Sequence, residues 1–366
     1  MHTIQEVCTY LESLAPLALQ ESYDNCGLQT GNGQEKVTGV LISLDITEAV
    51  LDEAIASGCN LIIGHHPVIF KGVKSLTGKS ETERILIKAI QNKLAIYAIH
   101  TNLDNVLLGV NHAFANRLGL INQEILLPKK EQLMQLVTYV PEAKTEELRL
   151  ALFEAGAGSI GNYDQCSFRI SGKGSFRAKT GANPFVGEIG KLHEEAEARL
   201  ELIFPSHLEF KLIQALKAAH PYEEVAYQTY PLGNINQEIG SGMMGILPEP
   251  MTEEKFLNYL KEKMELQVIR HSPLSGKTIQ KIGICGGAGS FLTGIAKSRK
   301  LDAYVSADFK YHEFFDADGQ LLIADIGHYE SEKYTKDWLR DLIIKKFAKF
   351  AVLLSQINTN PVNYYS

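Results

Sequence analysis

Over residues 37–119, short aliphatic runs alternate with amphipathic segments, and this alternation constrains the fold more than any other feature of the sequence. VTGVLISLD, NLIIGHH and LAIYAIHTNLD are rich in β-branched and aliphatic residues, whereas EAVLDEAIASG, ETERILIKAIQNK and GVNHAFANRLG space their apolar residues as helices do. Thr47 stands where it can cap the first of these helices and Gly58 where it can end it. Near-continuous apolar strands separated by helices imply a sheet buried on both faces, with mostly parallel strands. The pattern resumes after Gly240 with GMMGILP, TEEKFLNYLKEKM, KIGICGG, SFLTGIAKSRK, DAYVSADF and LLIADIGH, and closes on the long helix EKYTKDWLRDLIIKKF. The expected fold class is α/β, with two similar halves.

The segment between the halves reads differently. LMQLVTYVP is a strand, TEELRLALFEAGAG a helix, and YDQCSFRISGKGSFRAK a polar, glycine-turned hairpin region. RLELIFP is a strand, SHLEFKLIQALKAAH a helix that Ser206 would cap, and EEVAYQTYPL a last strand. The order β-α-β-β-α-β is the ferredoxin-like arrangement. The expected organisation is an α/β domain from residues 1–128 and 234–366, interrupted by an inserted ferredoxin-like domain at 129–233. At 366 residues the chain is too long for one simple core.

Composition narrows the function. A net charge of −7 disfavours general nucleic-acid binding, which needs a basic face. No apolar run approaches the ~18 residues of a membrane span. The five cysteines are scattered and form no C-x-x-C pair, as expected of reduced thiols. The first residues lack the basic-then-apolar order of a signal peptide, so a cytoplasmic location is expected.

Three short pieces carry chemistry. His65 and His66 close the strand NLIIGHH, Asp104 follows LAIYAIHTNL, and His328 closes LLIADIGH with Glu332 four residues on. Singly, each has an ordinary reading: a polar strand end, a turn aspartate, a surface ion pair. Together they bring imidazoles and carboxylates to the carboxyl ends of three strands, where parallel α/β sheets bind ligands. Such donors suit zinc, iron or manganese, and the lack of thiolate argues against a closed structural zinc site. Asp308 and His312, after DAYVSADF, are candidates for substrate contact or proton transfer. His100 reads as a core histidine or a support to the ligands, and Asp45 as a helix cap. GGAGS at 286–290 reads as a tight turn more readily than as a phosphate loop. His220, Tyr222, Glu223 and Glu224 read as a helix-to-strand turn with solvated acids more readily than as a sensing site.

YDNCGLQTG (23–31), LIIGHHPVIF (61–70), HTNLD (100–104), SADFKYHE (306–313) and DIGHYESE (325–332) together resemble the GTP cyclohydrolase 1 type 2 homologue family, also called Nif-three-like proteins. The resemblance implies two divalent metal ions per subunit, zinc foremost, held by His65, His66, Asp104, His328 and Glu332, with Glu332 bridging. It also implies a ring-shaped homohexamer with the sites facing an internal cavity. The insert resembles the signalling-protein-like domain of the longer members, including AHPYEEV at 219–225. Tyr23 departs from the Trp found in many members before the Asp-Asn pair.

Two functions follow as expectations. One is a metal-dependent hydrolase that uses metal-activated water on a nucleotide-like small molecule, with Asp308 or His312 moving a proton. The other is a non-catalytic metal chaperone or regulatory metal-binding protein.

Overall fold

The computed structural model describes residues 2–365. The chain forms two compact units, Met1–Pro128 with Gln237–Ser366, and Lys129–Asn236. In chain order the strands are β1 (Gly27–Thr30), β2 (Gly39–Ser43), β3 (Leu61–Gly64), β4 (Ala95–Ala98) and β5 (Ile121–Pro128). The second unit adds β6 (Leu133–Pro141), β7 (Phe168–Arg177), β8 (Leu192–Pro205) and β9 (Tyr227–Pro231). The first unit then continues with β10 (Gly240–Thr252), β11 (Arg270–His271), β12 (Thr278–Ala288), β13 (Ala303–Ala307), β14 (Leu322–Asp325) and β15 (Ala351–Leu354).

The larger unit holds two sheets. The first has the order β1-β4-β3-β2-β15, with β4, β3, β2 and β15 parallel and β1 an antiparallel edge. β2, β3 and β4 are buried along their whole length because helices cover both faces. Val40, Ile42 and Ile63 pack with Ile4, Val7 and Leu11 of the helix Ile4–Leu14 and with Leu339 and Ile343 of the helix Thr335–Lys346. Their alternates Leu41, Ile62 and Ile96 pack with Val50, Leu51, Ile85 and Ala89 of the helices Glu48–Ala56 and Glu81–Gln91. Thr47 caps the first of those two helices and Ser80 the second.

The second sheet, β11-β14-β13-β12-β10-β5, is mixed rather than mostly parallel. Only β12, β13 and β14 run parallel. β5 and β10 are antiparallel neighbours with Pro128 opposite Gly240, so the second unit is spliced between two adjacent strand ends. The closing helix also differs from the single long helix expected. His328–Glu332 is a short helix of its own, entered through Gly327 at φ +92° and followed by Thr335–Lys346.

In the unit Lys129–Asn236 the elements run β-α-β-β-α-β, and the sheet has the antiparallel order β7-β8-β6-β9. Leu136, Leu200 and Leu202 pack on one face against Leu148 and Leu152 of the helix Thr145–Glu154 and Leu212 and Leu216 of the helix Glu209–Ala219. Ser206 does not cap the second helix: the chain enters it through a 3-10 turn, Ser206–Leu208, which puts the serine inside the turn. Gly172 and Gly174 do not turn the hairpin but lie within β7. A Cβ at Gly174 would collide with the Glu197 carboxylate, which explains a glycine in mid-strand. No helix among the described residues is long and apolar enough to cross a membrane.

Candidate metal centre

Both sheets of the larger unit deliver polar side chains from the carboxyl ends of parallel strands. Asp45 follows β2, His65 and His66 follow β3, and His100 and Asp104 follow β4, the aspartate closing the one-turn helix Thr101–Asp104. Asp308 follows β13, and His328 and Glu332 follow β14. The backbone N–H groups of His65 and His66 donate to the carbonyls of Ser43 and Leu44, which fixes where the paired rings start.

The rings are oriented by their Nδ1 atoms. His65 Nδ1 lies 2.8 Å from the Ile99 carbonyl oxygen, His66 Nδ1 2.7 Å from Asp45 Oδ1, and His328 Nδ1 2.7 Å from Asp308 Oδ2. Each partner is an acceptor, so each Nδ1 carries a proton and Nε2 is the ring nitrogen left for ligation. These Nε2 atoms converge on Glu332. His66 Nε2 and His328 Nε2 are each 3.2 Å from Glu332 Oε2, and 3.4 Å from each other. His65 Nε2 is 3.8 Å from Glu332 Oε1 and 3.7 Å from Asp104 Oδ1. Acceptors that face acceptors at such distances need a cation or protons between them. His65 Nε2, Asp104 Oδ1 and Glu332 Oε2 are buried and have no hydrogen-bond partner among the described residues, so the donor set fits a metal. The atoms sort into two triads: His65, Asp104 and Glu332 Oε1, and His66, His328 and Glu332 Oε2.

The electrostatics agree. Burial disfavours charge on His66, but Asp45 and Glu332 outweigh it and push its pKa up to about 9. Burial likewise opposes charge on His328, and Asp308 and Glu332 carry it up to about 11. Burial pushes the Asp104 carboxyl up to about 7. Burial would raise Glu332 too, but the facing His328, His65 and His66 rings hold it well below the usual carboxylate range. The cluster thus retains protons at positions that metal ligation would empty.

Glycines make room for the carboxylate. A Cβ at Gly287, which has φ +64°, would collide with the Glu332 carboxylate and press on the His328 ring. The Gly286 and Gly287 N–H groups donate to Asn111 Oδ1 at 3.0 Å and Ser331 Oγ at 2.9 Å. GGAGS therefore ends β12 as a cradle for Glu332, neither a simple turn nor a phosphate loop. A cavity of about 430 Å³ opens beside the second triad, lined by His66, His328, Asp45 and Asp308 and by Arg270, whose guanidinium pairs with Asp325.

The structure brings His65, His66, Asp104, His328 and Glu332 together. Asp308 joins them through His328, whose ring holds its carboxyl below the usual range. His312 is exposed on the 3-10 segment Tyr311–Ala317, its ring 5.1 Å from Tyr311, and is not among the described residues that line the cavity. Two neighbours join the cluster: Asp45, which reads in the sequence as a helix cap, and His100, which reads as a core histidine or a support to the ligands. Asp45 is no helix cap: it accepts from His66 on one oxygen and from Thr359 Oγ1, at 2.7 Å, on the other. The His100 ring sits 5.2 Å from both His65 and His66, so these three could hold a metal as well. Asp24 anchors it through a 2.9 Å contact to Nδ1 and also accepts from the Thr101 N–H.

Comparison with known proteins supplies the relationship. The Duf34/NIF3 (NGG1p interacting factor 3) family matches residues 2–361. Proteins described as GTP cyclohydrolase 1 type 2 homolog are 36% identical in Bacillus subtilis and 38% identical in Halalkalibacterium halodurans, each over 98% of both chains. The crystal structure of a Bacillus cereus protein related to NIF3 superposes with a TM-score of 0.86 at 38% identity, covering 99% of both chains. A Staphylococcus aureus protein of known structure follows with a TM-score of 0.79 at 31% identity and the same coverage. The chain belongs to the Duf34/NIF3 family.

Proposed function

We propose that the cluster holds two divalent metal ions, zinc foremost, and that the protein is a metal-dependent hydrolase acting on a nucleotide-like small molecule. The observation that carries this reading is the convergence of three imidazole Nε2 atoms on the two oxygens of one buried carboxylate. His65, Asp104 and Glu332 would hold one ion, and His66, His328 and Glu332 the other. Bound divalent ions supply Lewis acidity and make water acidic enough to ionise near neutral pH. Ile99, Asp45 and Asp308 keep the rings in the ligating tautomer. Asp308 thereby acts on His328 rather than as the proton carrier. For His312, which does not line the cavity, the proposal of substrate contact rests on the family motif alone. The relatives' name, GTP cyclohydrolase 1 type 2 homolog, supports a nucleotide-like substrate.

The experiment is turnover of GTP and a panel of nucleotides, cyclic amides and phosphoesters by metal-loaded protein. Activity above a Glu332→Ala control is expected, and none across the panel would refute hydrolysis. The separate unit Lys129–Asn236 favours a second reading, a non-catalytic metal chaperone or regulator. Reversible metal release to an acceptor protein without turnover would decide for it. The β-α-β-β-α-β order supports a ferredoxin-like inserted domain. The proposal includes a homohexamer, on the family resemblance, to be read by light scattering. It also includes a cytoplasmic location, which the five unpaired cysteines suit.

A further inference from the structure

A cavity of about 780 Å³ opens within the unit Lys129–Asn236, and none of the cluster residues lines it. Its size is that of a site for a whole small molecule. Glu197, on β8, is 9% exposed there. Its Oε1 accepts from the Tyr222 hydroxyl at 2.8 Å, while Oε2 has no hydrogen-bond partner among the described residues. A side-chain carbon at position 174 would displace that carboxylate, so the mid-strand glycine is what admits it.

Tyr222 is held as firmly. His220 Nε2 donates to the Tyr139 carbonyl at 2.8 Å, and its Nδ1 accepts from the Tyr222 N–H at 3.1 Å. The Tyr222 ring lies 6.1 Å from Phe176 and 6.2 Å from Phe185, and Phe185 is 53% exposed. Arg177 and Lys179 line the same cavity and pair with no carboxylate among the described residues. A buried carboxylate with one spare oxygen selects a ligand with an N–H group. The aromatic rings select a planar one, because stacking tolerates any heteroaromatic face. The two cations select an anionic substituent.

We propose that this cavity is a binding site for a planar, amine-bearing heterocycle with an anionic group, and that a purine nucleoside monophosphate is the ligand of matching size. The ring lies against Phe185 and Tyr222, its N–H donates to Glu197 Oε2, and the phosphate meets Arg177 and Lys179.

The test is calorimetric titration of full-length protein with AMP, GMP and inorganic phosphate, repeated on Glu332→Ala so that binding at the histidine cluster is distinguished. Saturable binding of AMP or GMP that survives in Glu332→Ala is expected. Phe185→Ala and Glu197→Gln should each weaken it by about tenfold or more, the scale of one stacking contact or one buried hydrogen bond to charge. Phe185 is exposed, so its replacement leaves the fold intact, which circular dichroism checks. The proposal is overturned if neither nucleotide binds, if binding disappears in Glu332→Ala while Phe185→Ala leaves it unchanged, or if phosphate binds as tightly as the nucleotides.

Discussion

The five-stranded sheet brings His65 and His66 to the cluster and the six-stranded sheet brings His328 and Glu332, and the two contributions differ in exposure. The His65 side chain is 1% exposed, that of His66 17% and that of His328 39%. His65 is therefore the innermost of the three rings, while Asp104 beside it is 26% exposed. The triad of His66, His328 and Glu332 Oε2 is the outer one and faces the 430 Å³ cavity. On the proposed reading one carboxylate would join two unlike positions: the one at His65 would suit retention of an ion, and the one at His66 and His328 exchange and contact with substrate.

The largest effect on this comparison is expected from Gly287→Ala. A methyl group there meets the Glu332 carboxylate and the His328 ring together. Metal content at both positions should fall, because the shared carboxylate must move. Elemental analysis of folded variant protein reads it, and full metal content would contradict the cradle.

Next is pH. Ligands must lose their protons to bind metal. In the metal-free protein Asp104, His66 and His328 hold theirs up to about 7, 9 and 11. Apparent affinity should thus rise with pH from about 6 to about 9, and uptake near pH 7 should release protons. Calorimetry in buffers of different ionisation enthalpy measures the release. Affinity that falls with pH over that range would contradict ligation by these groups.

Smaller effects separate the positions. Asp308→Ala and Asp45→Ala remove acceptors behind His328 and His66, and each should weaken the outer position by about 10–100-fold. The position at His65 should hold its ion. Chelator-stripping kinetics would show a fast phase becoming faster and a slow phase unchanged. Equal loss from both phases would erase the distinction between the positions.

The clustered histidines and carboxylates were legible in the sequence because they stand at or just past the ends of buried aliphatic runs, and parallel sheets gather such ends at one edge. The supports were less so. Asp45 is adequately explained by the helix that Thr47 begins, and only Thr359, far along the chain, shows otherwise. Gly286 and Gly287 look like a turn until Glu332 fills the space beside them. The mixed second sheet was hidden because β5 and β10, which pair, are separated by an entire unit. The pocket at Glu197 was hidden for a similar reason: its carboxylate, its glycine and its tyrosine lie on different elements of a sheet whose register the sequence alone does not fix.

The smallest expected effect is that of removing Lys129–Asn236. Pro128 and Gly240 are ladder partners, so a short linker can close the gap without moving β5 or β10. Metal content should be unchanged and the shortened protein should unfold cooperatively. Insoluble, metal-free product from several linkers would show that the larger unit depends on the smaller.

The central claim is that one buried glutamate serves two metal positions. It is tested most directly by the metal-to-chain ratio of protein purified without chelator, alongside Glu332→Ala and His328→Ala. About two ions per chain are expected in the parent, about one in His328→Ala and close to none in Glu332→Ala. A parent protein that contains no transition metal and takes none up would contradict it, as would a Glu332→Ala variant that keeps both ions.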